Sequence, residues 1–181
     1  MTQTWREALQ ERSAEEWLSS ISMGVPKDVK RVLGRLQPPT WEELRNLPLV
    51  DTNDAGVYAW LVTSKHELQM RFDRYLYVGS ASRYGGELNR RIAEHTTKRK
   101  RRSESRVQRD IRTKVLKGPD RFITLMVMEI DSSDRYVVLG VRRTVTLAEA
   151  IFTVWLGALQ SPAHDLKTLC SSDLETLNYT D

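Results

Sequence analysis

Apolar positions along the first third of the chain recur at helical spacing. Residues 4–20 set Trp5, Ala8/Leu9, Trp17 and Leu18 among charged residues, which predicts a helix that can break at Arg12-Ser13. Pro26 opens a second helix with Val29, Val32, Leu33 and Leu36 on one side, stopped by Pro38-Pro39. Thr40 with Glu43 reads as a capping box for a third helix over 41–47, ended near Pro48. Asp51-Thr52-Asn53-Asp54-Ala55-Gly56 is a turn cluster that sets this helical arm, 1–50, apart from the rest of the chain.

From Gly56 the period changes. GVYAWLV (56–62) and YLYVGS (75–80) are short, aromatic and β-branched, the composition of strands. The polar stretch between them, TSKHELQMRFDR, reads as a hairpin loop with a helical turn. Ser82-Arg83-Tyr84-Gly85-Gly86 turns into a helix over 87–102, with Leu88 and Ile92 as its buried stripe. Arg91 and His95 stand four apart on it and share a face. A second basic helix, 105–117, stops at Gly118-Pro119. RFITLMVMEI (121–130) reads as a strand buried on both faces and central in the sheet. YVVLGVRR (136–143) reads as another strand or an extended connection, and Thr146 as the cap of an apolar helix over 147–159 that Ser161-Pro162 ends. The expected class is α/β (α+β): a small, three- to four-stranded mixed or antiparallel sheet flanked by helices. The expected division is a helical extension (1–50), a main domain (51–160) and a tail packing on it (161–181).

Composition narrows the setting. A chain of 181 residues, 40% apolar and 29% charged, is long enough to bury one core. Its longest near-apolar stretch, 146–159, is shorter than the roughly 20 residues a bilayer span needs, so no membrane partner is expected. The charged N-terminus lacks the apolar core of a secretory signal. A single cysteine, Cys170, excludes an internal disulfide and a thiolate metal site, and points to a reducing, intracellular setting.

Net charge is only +4, but it is unevenly spread. Residues 83–121 hold 14 Lys/Arg against 5 Asp/Glu, while the rest of the chain holds 14 against 19. The centre of this block is Lys98-Arg99-Lys100-Arg101-Arg102, with Arg83, Arg90, Arg106 and Arg109 around it. A polyanion bound there would release counterions, which makes these residues candidates for nucleic-acid contact; such a run also suits nuclear import or a solvated face. RNA ranks behind DNA as a partner, since no aromatic motif specific to single strands accompanies the charge.

The candidate chemistry lies in four places. Singly, Tyr58 and Tyr77 read as half-buried strand tyrosines, Arg91 as a solvated helix arginine and His95 as a surface or capped histidine. Glu149 differs, because Leu147, Ala148, Ala150, Ile151 and Phe152 surround it. Burying its carboxylate unpaired would cost several kcal/mol, so it requires a partner such as Arg142 or Arg143, a proton, a metal ion or a wet face.

Taken in order, Gly56-Val57-Tyr58, Tyr77-Val78-Gly79, Arg91 with His95, and Glu149 on a later helix resemble the GIY-YIG nuclease superfamily over 56–159. GGELNRRIAEH and VRRTVTLAEAIFTVWLGAL also look similar to uncharacterised fungal members. The resemblance implies a metal-dependent DNA endonuclease cleaving phosphodiester bonds, on duplex or branched DNA; with the basic run, the expected setting is the nucleus. It implies Mg²⁺ or Mn²⁺ on Glu149, Arg91 on the phosphoryl oxygens, and Tyr58, Tyr77 or His95 activating water. A silent member of the same fold, binding nucleic acid or a protein partner through 1–50, is the alternative. The 18 residues between Tyr58 and Tyr77 imply an insertion in the hairpin. The superfamily's Asn after the Glu has only Asn178 as a counterpart.

Overall fold

The computed structural model describes residues 5–66, 71–82, 88–96, 120–130 and 135–158. The expected helix over 105–117, the run 98–102 with Arg83, Arg106 and Arg109, the tail 161–181 and Asn178 lie outside the described residues.

The N-terminal arm forms four helices: α1 (Trp5–Gln10), α2 (Ala14–Gly24), α3 (Lys27–Leu33) and α4 (Trp41–Arg45). The chain breaks at Ser13 because Ser13 and Glu16 satisfy each other's backbone N–H groups in a capping box. Thr40 and Glu43 form the second box, at the start of α4. Arg35 pairs with Glu43 at 2.7 Å and, with the Thr40 bonds, holds its carboxyl down at about 2.

Three antiparallel strands come next, in the order β2-β1-β3: β1 (Ala55–His66), β2 (Arg71–Ala81) and β3 (Asp120–Met128). The β1–β2 ladder runs from Gly56↔Ala81 to His66↔Arg71, so most of the polar stretch expected to loop is strand. Backbone pairing carries the ladder past the last apolar residue, and polarity alone does not end a strand. The extra residues between Tyr58 and Tyr77 therefore lengthen the hairpin.

The central strand is β1, not β3. Both faces of β3 are buried, as expected, but burial of faces does not require a neighbour on each edge. Its outer edge is closed by residues 48–50, where the Val50 N–H donates to the Phe122 carbonyl (3.1 Å) and the Thr124 N–H to that of Pro48 (2.8 Å). A register shift opposite Val57/Tyr58 turns Leu125 and Met126 into the same core.

Helix α5 (Leu88–Thr96) packs on one face of the sheet, and α6 (Arg135–Trp155) with the N-terminal helices on the other. Residues 136–143 are the start of α6, not a strand, and Thr146 lies inside this helix, its hydroxyl donating to the Arg142 carbonyl at 2.8 Å. The β-branched composition misleads because Val141, Val145, Ala148, Phe152 and Leu156 repeat at three and four residues. Burying that stripe against β1 and β2 decides the conformation. Among the described residues no helix is long and apolar enough to cross a membrane.

Candidate functional site

Strand alternation sorts β1 by face. Val57, Ala59 and Leu61 enter the core shared with α6, Ile21, Val29 and Leu44; Tyr58, Trp60 and Val62 face α5 with Tyr75, Leu88 and Phe122. The two motif strands are direct neighbours, and Tyr58 stands opposite Gly79 in register. Helix α5 starts against the turn cluster, its Leu88 and Asn89 N–H groups donating to the Asp54 and Thr52 carbonyls (3.1 Å each). Leu88, Ile92 and His95 then recur at helical spacing over the Tyr58 face.

His95 is buried, and its Nε2 meets the Tyr58 hydroxyl at 2.5 Å. Its ring lies 5.1 Å from Trp60, 5.6 Å from Tyr58, 6.0 Å from Phe122 and 6.1 Å from Tyr77. Tyr77 and Tyr58 are 6.4 Å apart, tilted. Tyr58 is wholly buried, whereas Tyr77 and Arg91 are half-buried and reach the surface.

Burial pushes the Tyr58 phenol far above its ordinary range. The phenol of Tyr77 adds to this, the Arg91 guanidinium opposes it, and the Glu149 carboxylate contributes a smaller upward push. Arg91 is itself desolvated, which acts to lower it. The hydrogen bond to Glu94 at 3.0 Å and the phenol oxygens of Tyr58 and Tyr77 outweigh that, so its value is raised and it stays charged. The Arg91 Nε is buried with no hydrogen-bond partner among the described residues. Arg90 is exposed and points to Glu94 at 3.9 Å.

Glu149 reaches the sheet from the opposite side. It is half-buried on α6 and accepts a hydrogen bond from the Ser80 hydroxyl at the end of β2. Neither Arg142 nor Arg143 pairs with it; Arg143 binds Glu11 at 2.6 Å. Tyr58, Tyr77, Arg91 and His95 thus share one sheet face. Glu149 is anchored behind the edge strand, close enough for its charge to act on Tyr58. No three His, Cys, Asp or Glu side chains cluster among the described residues, and Glu149 is the candidate carboxylate for a cation here.

The sequence reading missed Ser80, Glu94, Trp60 and Phe122. Two of them were within reach: Trp60 follows Tyr58 by two on a strand, and Glu94 follows Arg91 by three on a helix. Ser80 and Phe122 depend on pairing between distant segments. No family model, curated protein or solved structure matches this chain.

The raised phenol of Tyr58 has a direct consequence. A folded-state value above the unfolded one stabilises the fold fully below the ordinary phenol value near ~10. That stability is lost as pH rises through the folded value. In an alkaline absorbance titration Tyr58 is therefore expected to stay protonated until unfolding, and Tyr58→Phe to remove that late component. A Tyr58 that titrates near ~10 in the folded protein contradicts this.

Proposed function

We propose that this chain is a divalent-metal-dependent DNA endonuclease of the GIY-YIG type. The observation that carries the reading is the pairing of Gly56-Val57-Tyr58 with Tyr77-Val78-Gly79 on adjacent strands, with Arg91 and His95 laid over Tyr58 by one helix. Order along the chain and convergence in space are separate facts, and for Tyr58, Tyr77, Arg91 and His95 they agree, while Glu149 approaches from behind the edge strand.

The residues fit the chemistry. Glu149 is a hard oxygen donor whose one bonded partner among the described residues is a neutral hydroxyl, so its charge is uncompensated and suits Mg²⁺ or Mn²⁺. Such an ion, when bound, polarises a phosphodiester and stabilises the leaving oxygen. The orphaned Arg91 Nε is a charged donor that a phosphoryl oxygen would satisfy, with a planar fork that lysine lacks. Of the three candidates for handling water, Tyr77 is the one that reaches the surface. Tyr58 is buried and held neutral, and its hydroxyl is engaged with His95; this pair sets the geometry from beneath. DNA, with RNA ranked behind it, is the partner in this reading, with the 98–102 run as its grip, and a nuclear location belongs to the same reading.

A second reading is a catalytically silent module that binds nucleic acid, or a protein through 1–50. One observation favours it: the Tyr58–His95 bond inside an aromatic cluster also serves simply to pin α5 to the sheet. The deciding experiment incubates the protein with plasmid, branched and single-stranded DNA in Mg²⁺ and in Mn²⁺. Nicking that is absent from Glu149→Ala and Arg91→Ala supports the nuclease. No cleavage of any substrate, with no Mn²⁺ bound, favours the silent module.

Duplex binding has its own test. Neutralising Lys98, Arg99, Lys100, Arg101 and Arg102 together is expected to weaken affinity and flatten its salt dependence, by about 0.9 in log–log slope for each phosphate no longer neutralised. An unchanged slope would assign the run to solvent or to import alone.

A further inference from the structure

We infer that Ser80 is a positioning residue for Glu149: its hydroxyl holds one carboxylate oxygen without neutralising the group and leaves the other oxygen for a divalent cation. The inference rests on the proposed metal role of Glu149. The pairing joins residues 69 apart, from the edge strand β2 to α6, and both are half-buried.

The placement follows from two periodicities. Along β2, Leu76 and Val78 enter the core beneath α6, and strand alternation puts Ser80 next on that face. Along α6, Val145, Ala148 and Phe152 are buried against the same core, which carries Glu149 to the margin of the buried stripe. A glutamate there has several rotamers, and the Ser80 hydroxyl selects one. Its neutrality matters. A lysine or arginine in the same place would cancel the charge that a cation needs, and Arg143, a cation on the same helix, is spent on Glu11. At Gly79 the strand carries no side chain, so little separates the Glu149 edge from the tyrosine face, and the Glu149 charge acts on Tyr58 across it. A neutral outer partner that orients a metal ligand without competing for the metal is a recurring device.

Mn²⁺ binding, read by electron paramagnetic resonance of the free ion, tests this on the full chain without substrate. Glu149→Ala is expected to abolish specific binding. Ser80→Ala is expected to weaken it by about 10- to 100-fold, the usual effect of losing such a partner. Ser80→Thr, which keeps a hydroxyl, is expected to restore most of the affinity, a rescue that a purely packing role would not give. Circular dichroism confirms that each variant is folded. Wild-type affinity in Ser80→Ala, alongside lost binding in Glu149→Ala, overturns the role of Ser80 and leaves the nuclease reading standing. Wild-type affinity in Glu149→Ala, or no binding by wild type, overturns the metal role of Glu149 and the inference with it.

Discussion

Arg91→Ala and Glu149→Ala are each expected to lower the rate of Mg²⁺-dependent nicking by about 10²–10³ while leaving duplex affinity close to wild type. The magnitude is that of removing one charged partner from a transition state. The two activities separate because the residues do: the positive charge proposed to grip DNA is concentrated in 98–102 of the sequence, whereas Arg91 is half-buried over the tyrosine face and already bonded to Glu94. Among the described residues, Arg91 is the only charged donor on that face with an unsatisfied buried N–H, and the alanine variant lacks it. Arg91→Lys is expected to recover little, because an ammonium cannot both hold Glu94 and offer a second, in-plane donor. Gel densitometry of supercoiled and nicked plasmid, beside a filter-binding isotherm, reads both quantities. Parallel loss of cleavage and affinity would mean that Arg91 grips DNA; full cleavage by Glu149→Ala would place the chemistry elsewhere.

What the sequence made legible was local. The capping box expected at Thr40/Glu43 spans three residues and forms, and the break expected at Arg12-Ser13 falls at Ser13, where the structure adds a second box with Glu16. The strands over 56–62 and 75–80 announced themselves by aromatic and β-branched residues, and the four-residue step from Arg91 to His95 sufficed to put both on one helix face. What failed was set by distant partners. Residues 136–143 carry strand-like composition, yet their conformation is decided by the core formed with β1 and β2. The apolar run of β3 said that both faces are covered but could not say that residues 48–50 close its edge. Glu149 was recognised as a carboxylate needing a partner, and Arg142 or Arg143 were reasonable candidates by spacing. The partner is Ser80, on a strand 69 residues away, and no pattern within either segment points to it.

The motif glycines complete the picture, since taken alone each passes for an ordinary strand-end residue. Among the described glycines only Gly157 has positive φ, so Gly56 and Gly79 are there for space and not for conformation. A Cβ on Gly56 would lie 2.1 Å from the Met126 carbonyl oxygen and 2.9 Å from the Leu88 Cδ1. The first of these is backbone of the neighbouring strand, beside the register shift, and cannot rotate away. Gly56→Ala is therefore expected to destabilise the fold by about 3 kcal/mol or more, at or beyond the upper end of ordinary overpacking. On Gly79 the Cβ would meet the Tyr58 hydroxyl at 2.6 Å, the Tyr77 Cε1 at 2.7 Å and the Tyr58 Cζ at 2.8 Å. Those are side chains, and they can yield, so Gly79→Ala is expected to cost less, about 1–3 kcal/mol. Yielding means that the Tyr58 ring leaves its place opposite Gly79 and its bond to His95 breaks, so the late tyrosine component of the alkaline titration should move toward the ordinary phenol range. Urea denaturation measures both variants, with a shift of midpoint at constant slope marking a change of stability. A Gly56→Ala midpoint equal to wild type would show that β1 and β3 can separate at the bulge without cost. A Gly79→Ala protein that keeps its late-titrating tyrosine would show that Tyr58 does not depend on the missing side chain across the ladder.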